Sequence, residues 1–311
     1  MSVPATPAAP SPALLTTSAS LARLSDGLRG RRAIAAGNLW GSSQALVLAT
    51  LAGSDDSRTF LVVCANQSEG EAFGEDLATL GVQALVFPAR EVSALGGKSV
   101  EPESLRQRLQ AAQVLAGPRA RRPRVVVSPL AALLEPVPSP KELEKKLLHL
   151  QVGMHLDANE VLDRLVAAGY SRAPLAEHPG ELSLRGDILD VFPFSAELPL
   201  RIELFDQEVE SLRTFEPESQ RSLEALERTA LSLISDAGGV EDGDGVQPLE
   251  LFDLATVVVE IEPLRIADQA AGFRIQSSAH ARALGELHAA FELRARLSLQ
   301  SLPAELNFST R

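Results

Sequence analysis

The sequence predicts an α/β fold in which a parallel-sheet domain, made of two segments, is interrupted by a small α+β domain. In the first part of the chain, β-branched apolar runs alternate with longer stretches of helical character, which is typical of a parallel sheet covered by helices. Near residue 180 this alternation changes to short strands joined by polar turns, which indicates an antiparallel meander. The predicted parts are a disordered tail (1–20), a first α/β segment (21–136), an α+β domain (137–222) and a second α/β segment (223–311).

Composition limits the classes of function that this chain can have. The net charge of -12 argues against broad binding to phosphate backbones, which requires a surplus of Lys and Arg. Cys64 is the only cysteine and lies in an apolar run, so we expect a buried, unreactive thiol. The five histidines have no metal-ligand spacing, and we predict neither a metal nor a cofactor. No apolar run approaches the roughly 20 residues of a membrane span, which predicts a cytoplasmic protein without membrane contact.

One stretch of the first segment has the layout of a nucleotide-binding P-loop. A strand at 33–36 leads through a glycine-containing turn, Gly37 to Ser43, into a helix over 44–52. A P-loop needs backbone N–H groups to surround the phosphates, a Lys to reach them and a hydroxyl to hold magnesium. The turn has no Lys and is short. The sequence therefore predicts a turn that binds no nucleotide.

The second α/β segment contains two acids at the end of a buried strand. Glu260 and Glu262 follow the run 255–259, where helicase-type ATPases carry an acidic pair that holds magnesium. Here the acids alternate around Ile261, and we expect both to face solvent at the strand end. This segment is predicted to begin with a helix, Leu223 to Arg228, and a strand at 230–234, and to be mostly helical over 266–299.

The most informative stretch is the predicted meander, Glu181 to Phe215. In its second strand Leu200, Ile202 and Leu204 point to one face, so the neighbours Arg201, Glu203 and Phe205 point to the other. Arg185 lies on the preceding strand, just before Gly186, a residue type that often marks a bulge. Two interpretations follow from the pattern. An exposed Phe beside arginines has the composition of a protein-binding hot spot; alternatively, Phe205 covers a neighbouring helix and the arginines form surface ion pairs.

The same stretch resembles a known family. The run HPGELSLRGDILDVFPFSAELPLRIELFDQEVESLRTFEPESQRSL is similar to the UvrB interaction domain within the N-terminal, UvrB-like module of bacterial transcription-repair coupling factors, the Mfd family. In that family the domain docks onto UvrA, the damage-recognition subunit of nucleotide excision repair. The resemblance implies that Arg185, Arg201 and Phe205, with Glu203 beside them, contact UvrA. Ser183 departs from UvrB, which tends to carry a second arginine there.

The resemblance also implies a fold and a role. The parallel-sheet domain would be a degenerate P-loop-type, helicase-like domain, and this segment would be a non-catalytic module that recruits UvrA to stalled transcription. The parent would be an ATP-dependent DNA translocase that contacts RNA polymerase and DNA through further C-terminal domains. The alternative is a UvrB-like, ATP-dependent DNA-damage-binding protein. It is disfavoured by the missing P-loop Lys and by the absence of the aromatic-rich hairpin with which UvrB grips DNA, since the chain has a single Tyr.

Overall fold

A computed structural model describes residues 19–30, 33–55, 57–90, 102–117, 123–194, 196–233 and 245–303. The chain divides into two compact units. The first comprises residues 1–89, 117–136 and 247–311, and the second comprises residues 90–116 and 137–246. Nearly all of the predicted tail, 1–20, lies outside the described residues.

The first unit is built on a sheet of six parallel strands, which confirms the predicted mixed α/β class with a parallel sheet. Numbered along the whole chain, its strands are β1 (Ala33–Ala36), β2 (Phe60–Cys64), β3 (Ala84–Val86), β4 (Val125–Pro129), β15 (Val257–Ile261) and β16 (Arg296–Leu299). Their order across the sheet is β1-β16-β15-β2-β4-β3. The strands from the two chain segments therefore interleave, because β15 and β16 lie between β1 and β2.

Helices accompany this sheet along both chain segments of the unit. They are α1 (Ala19–Arg29), α2 (Ser43–Ser54), α3 (Gln67–Thr79), α5 (Leu130–Leu134), a 3-10 helix (Pro248–Leu251), α8 (Pro263–Gln276) and α9 (Ser278–Glu292). Alternate residues of β15, including Val257 and Val259, join Leu48 of α2 and Leu77 of α3 in one apolar core. Cys64 is fully buried in the same core, and burial raises the pKa of its thiol to about 12. The predicted burial of Cys64 is confirmed, and the raised pKa favours a protonated thiol at neutral pH.

The acids at the end of β15 do not simply face solvent, so that prediction was wrong. Glu260 is half-buried and accepts a hydrogen bond from the Ser298 hydroxyl on the neighbouring strand, with an Oγ to Oε2 distance of 3.4 Å. Burial raises the pKa of Glu260, and the nearby charge of Arg296 opposes this shift. The alternation of β15 turns Glu260 towards the second face of the sheet, which helices also cover, and not towards open water.

The second unit contains an antiparallel sheet with a helix packed against it. Its strands in chain order are β5 (Val137–Pro138), β6 (Leu147–Gln151), β7 (Ser171–Arg172), β8 (Glu181–Arg185), β9 (Ile188–Val191), β10 (Leu200–Phe205), β11 (Glu208–Phe215), β12 (Ser222–Leu226), β13 (Arg228–Ser232) and β14 (Gly245–Val246). Six of them form one sheet in the order β12-β11-β10-β9-β8-β7, antiparallel except for the β7–β8 pair. The described part of the unit also contains two two-stranded sheets, β6 with β13 and β5 with β14.

The described residues of this unit form the helices α4 (Pro102–Ala116), α6 (Pro140–Lys145) and α7 (Ala158–Ala167). The predicted helix beginning at Ala158 is confirmed as α7, whose cap Asp157 accepts hydrogen bonds from the backbone N–H groups of Asn159 and Glu160. Its buried residues Val161, Leu162 and Leu165 share a core with the inner face of the large sheet.

The structure corrects the predicted end of the inserted domain. Residues 223–228, rich in the helix formers Leu, Glu and Ala, were predicted as a helix of the second α/β segment, but they contribute to strands β12 and β13. β12 pairs with β11 and β13 pairs with β6, so residues up to 246 belong with the antiparallel sheet and not with the α/β domain. Cross-strand pairing overrides a modest helix propensity. Helix α4, predicted within 21–136, also falls in this unit.

A second correction concerns Gly186. The stretch before Pro193 was predicted as one strand with a bulge, but it forms two strands, β8 and β9, joined by a turn at Gly186 and Asp187. Gly186 has φ of +62°, a left-handed conformation that favours glycine and suits a tight hairpin.

None of the described helices combines the length and apolarity required to cross a bilayer.

We expect Glu260→Gln to stabilise the protein near neutral pH. The raised pKa means that the folded state binds the proton of Glu260 more tightly than the unfolded state, so the ionised form is unfavourable above the unfolded pKa of about 4.3. The gain in the free energy of unfolding should therefore be present at pH 7 and should shrink as the pH falls towards 4. Urea unfolding at both pH values measures it.

Glu286→Gln on α9 is the matched control, because Glu286 is exposed and pairs with Arg282 on the surface. It should change the unfolding midpoint little at either pH. A lower midpoint for Glu260→Gln at pH 7 would contradict the interpretation that burial dominates at this position.

Candidate protein-docking surface

Strand β10 separates its side chains onto two faces, as the sequence predicted. Leu200, Ile202 and Leu204 are buried in the core beneath the sheet, and they alternate with Arg201, Glu203 and Phe205. We call the side of the sheet that carries the latter three residues, with Arg185, the outer face. The predicted side of the sheet is therefore correct for these side chains, while their contacts come from other strands and loops.

Arg201 is held by a fully buried carboxylate. Its Nε and Nη2 donate to the two oxygens of Asp190, on β9, at 2.7 and 2.9 Å. The Asp190 side chain is 0% exposed and that of Arg201 is 13% exposed. The side-chain hydrogen bonds to Asp190 raise the pKa of Arg201, which stays charged at any accessible pH.

The remaining contacts of Arg201 fix the plane of its guanidinium. Nη1 donates to the backbone carbonyl of Gln220 at 3.2 Å, and Nη2 donates to the Gln220 side-chain oxygen at 3.3 Å. The guanidinium carbon lies 4.5 Å from the centre of the Phe215 ring, in a cation–π arrangement. Arg201 therefore has all three guanidinium nitrogens and one of its flat faces engaged within the protein.

Arg185 shares the same carboxylate from the other side. Its Nη2 donates to Asp190 Oδ2 at 2.7 Å, while 46% of its side chain remains exposed. Glu203, which the intervening strand β9 separates from Arg185 in the paired register, accepts a hydrogen bond from the Ser211 hydroxyl at 2.5 Å. The outer face thus carries a fixed arginine, a half-exposed arginine and an anchored glutamate.

Phe205 ends β10 and is 74% exposed, so it does not cover a helix within the part of the chain that the structure describes. It precedes a two-residue hairpin turn, Asp206 and Gln207, with φ of +48° and +66°. Positive φ at both central residues is the backbone of a type I′ turn, whose twist matches that of the flanking strands. A large aromatic ring held at a rigid hairpin end is available to a partner.

Another part of the outer face is covered by the protein itself. Ser183, opposite Asp190 in the strand register, is buried and donates its hydroxyl to the Pro174 carbonyl at 2.9 Å. Phe215 packs with Ala176 and Phe192 in a small separate core. The position where UvrB tends to carry an arginine is therefore internal in this chain, and the accessible region runs from Arg185 towards Phe205.

Sequence reasoning missed Asp190, which joins the two arginines. A signal was present, since a lone acid interrupts the apolar run Ile188 to Phe192. Charged residues are rarely fully buried unless they are paired, so an acid in a buried strand predicts a nearby guanidinium. The supports Gln220 and Phe215 lie in a loop and on the next strand, and nothing in their own sequence context identifies them.

The turn with the P-loop layout lies between β1 and α2, as predicted, and two carboxylates lie beside it. Glu262 Oε1 accepts from Gln44 Nε2 at 2.7 Å and from the Ser301 backbone N–H at 2.8 Å. The Ser42 hydroxyl, at the start of α2, donates to Asp76 at 3.0 Å. Within the described ranges no group of three or more His, Cys, Asp or Glu side chains could hold a metal ion.

Comparison with known families shows to which class of domain the part of the chain that carries the outer face is similar. Residues 148–233 match the family described as the UvrB interaction domain. The match begins in β6 and ends just after β13, the two strands that pair in this unit, and it includes β8 to β11 with the whole outer face.

Relatives that are similar in sequence to this chain are named transcription-repair-coupling factors. The chain is 33% identical over 190 residues, 60% of its length, to the one from Bacillus subtilis strain 168. It is 33% identical over 150 residues, 48% of its length, to the one from Staphylococcus aureus strain MRSA252. The chain spans 16% and 12% of the lengths of these relatives. The resemblance to the UvrB-like module of transcription-repair coupling factors is confirmed by these matches.

The geometry of Arg201 changes the expected result of its mutation. An outward position would tolerate truncation, but Arg201→Ala leaves the Asp190 carboxylate buried with only the partial support of Arg185. We expect a loss of about 3 kcal/mol in the free energy of unfolding, measured by urea denaturation.

Arg213→Ala is the matched control, since Arg213 lies directly opposite Arg201 on β11 and is exposed. We expect it, and Phe205→Ala, to stay within about 0.5 kcal/mol of the parent chain. An Arg201→Ala variant as stable as Arg213→Ala would mean that the buried carboxylate does not depend on this arginine.

Proposed function

We propose that this chain recruits UvrA through the outer face of its UvrB interaction domain and thereby links stalled transcription to nucleotide excision repair. The observation that carries the proposal is the exposure of Phe205 beside arginines held in fixed positions, within the stretch that matches the UvrB interaction domain. An exposed aromatic ring and oriented guanidinium groups are the features that protein interfaces use for affinity and orientation.

The four residues would have different parts in binding. Phe205 would bury its ring in an apolar pocket of UvrA, and Arg185 would pair with an acid there through the half of its side chain that is exposed. Arg201 and Glu203, both half-buried, would lie beneath the contact and restrict which charged groups of UvrA fit there. Charge complementarity would set the orientation and the association rate more than the total affinity.

We infer that the segment itself carries out no chemistry and that its parallel-sheet domain is a degenerate P-loop-type, helicase-like domain. The turn before α2 lacks the Lys of a P-loop, and the carboxylates of Glu262 and Asp76 lie next to the start of that helix. Negative charge at a helix N-terminus repels phosphate, where a working site offers N–H groups and a Lys. These features disfavour the alternative of a UvrB-like ATP-dependent protein.

Translocation on DNA and contact with RNA polymerase are not proposed for this chain itself. The relatives are named transcription-repair-coupling factors and are several times longer. In a longer protein of that kind, ATP-driven translocation on DNA and contact with RNA polymerase would belong to other segments, and the UvrA-binding domain would connect them to the repair machinery in the cytoplasm.

We predict that Phe205→Ala lowers the affinity of the chain for purified UvrA about thirtyfold, because truncating a central aromatic of an interface typically costs about 2 kcal/mol. Arg185→Ala should lower it to a similar degree. Calorimetric titration of UvrA with each variant measures the affinity, and the number of sites corrects for any unfolded fraction.

Leu223→Ala is the control variant for this titration, since Leu223 is an exposed apolar residue on β12, at the edge of the same sheet. It should bind UvrA like the parent chain. Full affinity in Phe205→Ala, with the parent chain binding normally, would remove Phe205 from the interface.

We also predict that titration with ATP and Mg²⁺ gives no saturable heat. The physical reason is that the turn before α2, residues 37–43, contains no Lys or Arg to neutralise the phosphates. A P-loop ATPase in the same buffer serves as the positive control. A micromolar dissociation constant, about -8 kcal/mol, would overturn the degenerate-site proposal.

A further inference from the structure

Asp190 lies at the centre of the outer face without being part of its surface. Its side chain is 0% exposed, and its two oxygens accept three hydrogen bonds from two different guanidinium groups. In the strand register it lies between Ser183 on β8 and Arg201 on β10. No partner protein could touch this carboxylate without first displacing an arginine.

The two arginines depend on Asp190 to different degrees. Arg201 has further contacts with Gln220 and the ring of Phe215. For Arg185, Asp190 is the one hydrogen-bond partner among the described residues. The exposed half of Arg185 therefore owes its direction to a single buried carboxylate.

The charges of this cluster, and their exposure, determine which groups of a partner the surface can bind. Two guanidinium groups share one carboxylate, and the nearby Glu203 carboxylate is engaged by the Ser211 hydroxyl. The carboxylates of Asp190 and Glu203 together balance the charges of the two arginines, but the charged group of this cluster that is most exposed is the guanidinium of Arg185. Such a surface binds a carboxylate of a partner, presented to the free edge of a guanidinium.

We propose that Asp190 is a positioning residue of the docking surface: it makes no contact with the partner, but, together with the internally bound Arg201, it holds Arg185 in the orientation in which an acid of the partner binds. This inference rests on the proposed function, because UvrA is the partner used to test it. The alternative is a purely structural role, in which Asp190 stabilises the sheet but does not affect how the arginine contacts the partner. The experiments below distinguish these two roles.

Asp190→Asn tests the inference, with Asp187→Asn as its matched control. Asp187 is an exposed acid in the turn between β8 and β9, so both variants remove one negative charge from the same region. If only net charge mattered, both would bind an acidic partner more tightly. We expect Asp190→Asn to lower UvrA affinity per folded molecule about tenfold or more, and Asp187→Asn to leave it within about twofold.

A double-mutant cycle separates positioning from general damage. The loss caused by Asp190→Asn should be clearly smaller in an Arg185→Ala background, because the group that it positions is already gone, and unchanged in a Phe205→Ala background. Equal losses in all three backgrounds would overturn the inference, as would an Asp190→Asn variant that binds UvrA like the parent chain.

A measurement on the unaltered chain remains if Asp190→Asn fails to fold. In nitrogen-15 NMR spectra at low temperature, the guanidinium of Arg185 should show hindered rotation with distinct Nη signals, as a hydrogen-bonded group does. Freely averaging signals for Arg185 would overturn the inference. Absence of UvrA binding by the parent chain would instead contradict the proposed function, so the two failures are distinguishable.

Discussion

The buried carboxylate of Asp190 is the constraint on which the outer face depends. A fully desolvated charge is tolerated in a protein only when well-placed hydrogen bonds compensate for its lost hydration. Here three N–H groups from two arginines supply that compensation, which fixes β8, β9 and β10 relative to one another. Gln220 and Phe215 extend the constraint to the neighbouring loop and to β11.

This constraint divides the outer face into a supported part and a free part. Arg201 belongs to the support, and its removal costs stability as well as any contact that it makes. Phe205 contributes little to the core and is open to a partner. Arg185 belongs to both, since Asp190 accepts a hydrogen bond from its guanidinium while 46% of its side chain is exposed. A preorganised arginine loses little side-chain entropy on binding, which favours affinity at a modest interface.

Local patterns predicted much of this molecule, and long-range pairing accounts for what they missed. The alternation in β10 and the strand–helix rhythm of the parallel sheet are read within a few residues, and both were correct. Residues 223–228 have helical composition, yet they form strands because β11 and β6 pair with them. Asp190 and Glu260 were missed or misjudged because their surroundings come from other strands and helices.

The claim that the outer face meets UvrA is tested most directly by site-specific photo-crosslinking. The photoreactive amino acid p-benzoylphenylalanine would replace Phe205 in one variant and Leu223, an exposed residue on the edge strand β12, in another. We predict a covalent adduct with UvrA from position 205 and little or none from position 223. Adducts from position 223 with none from position 205 would contradict the account.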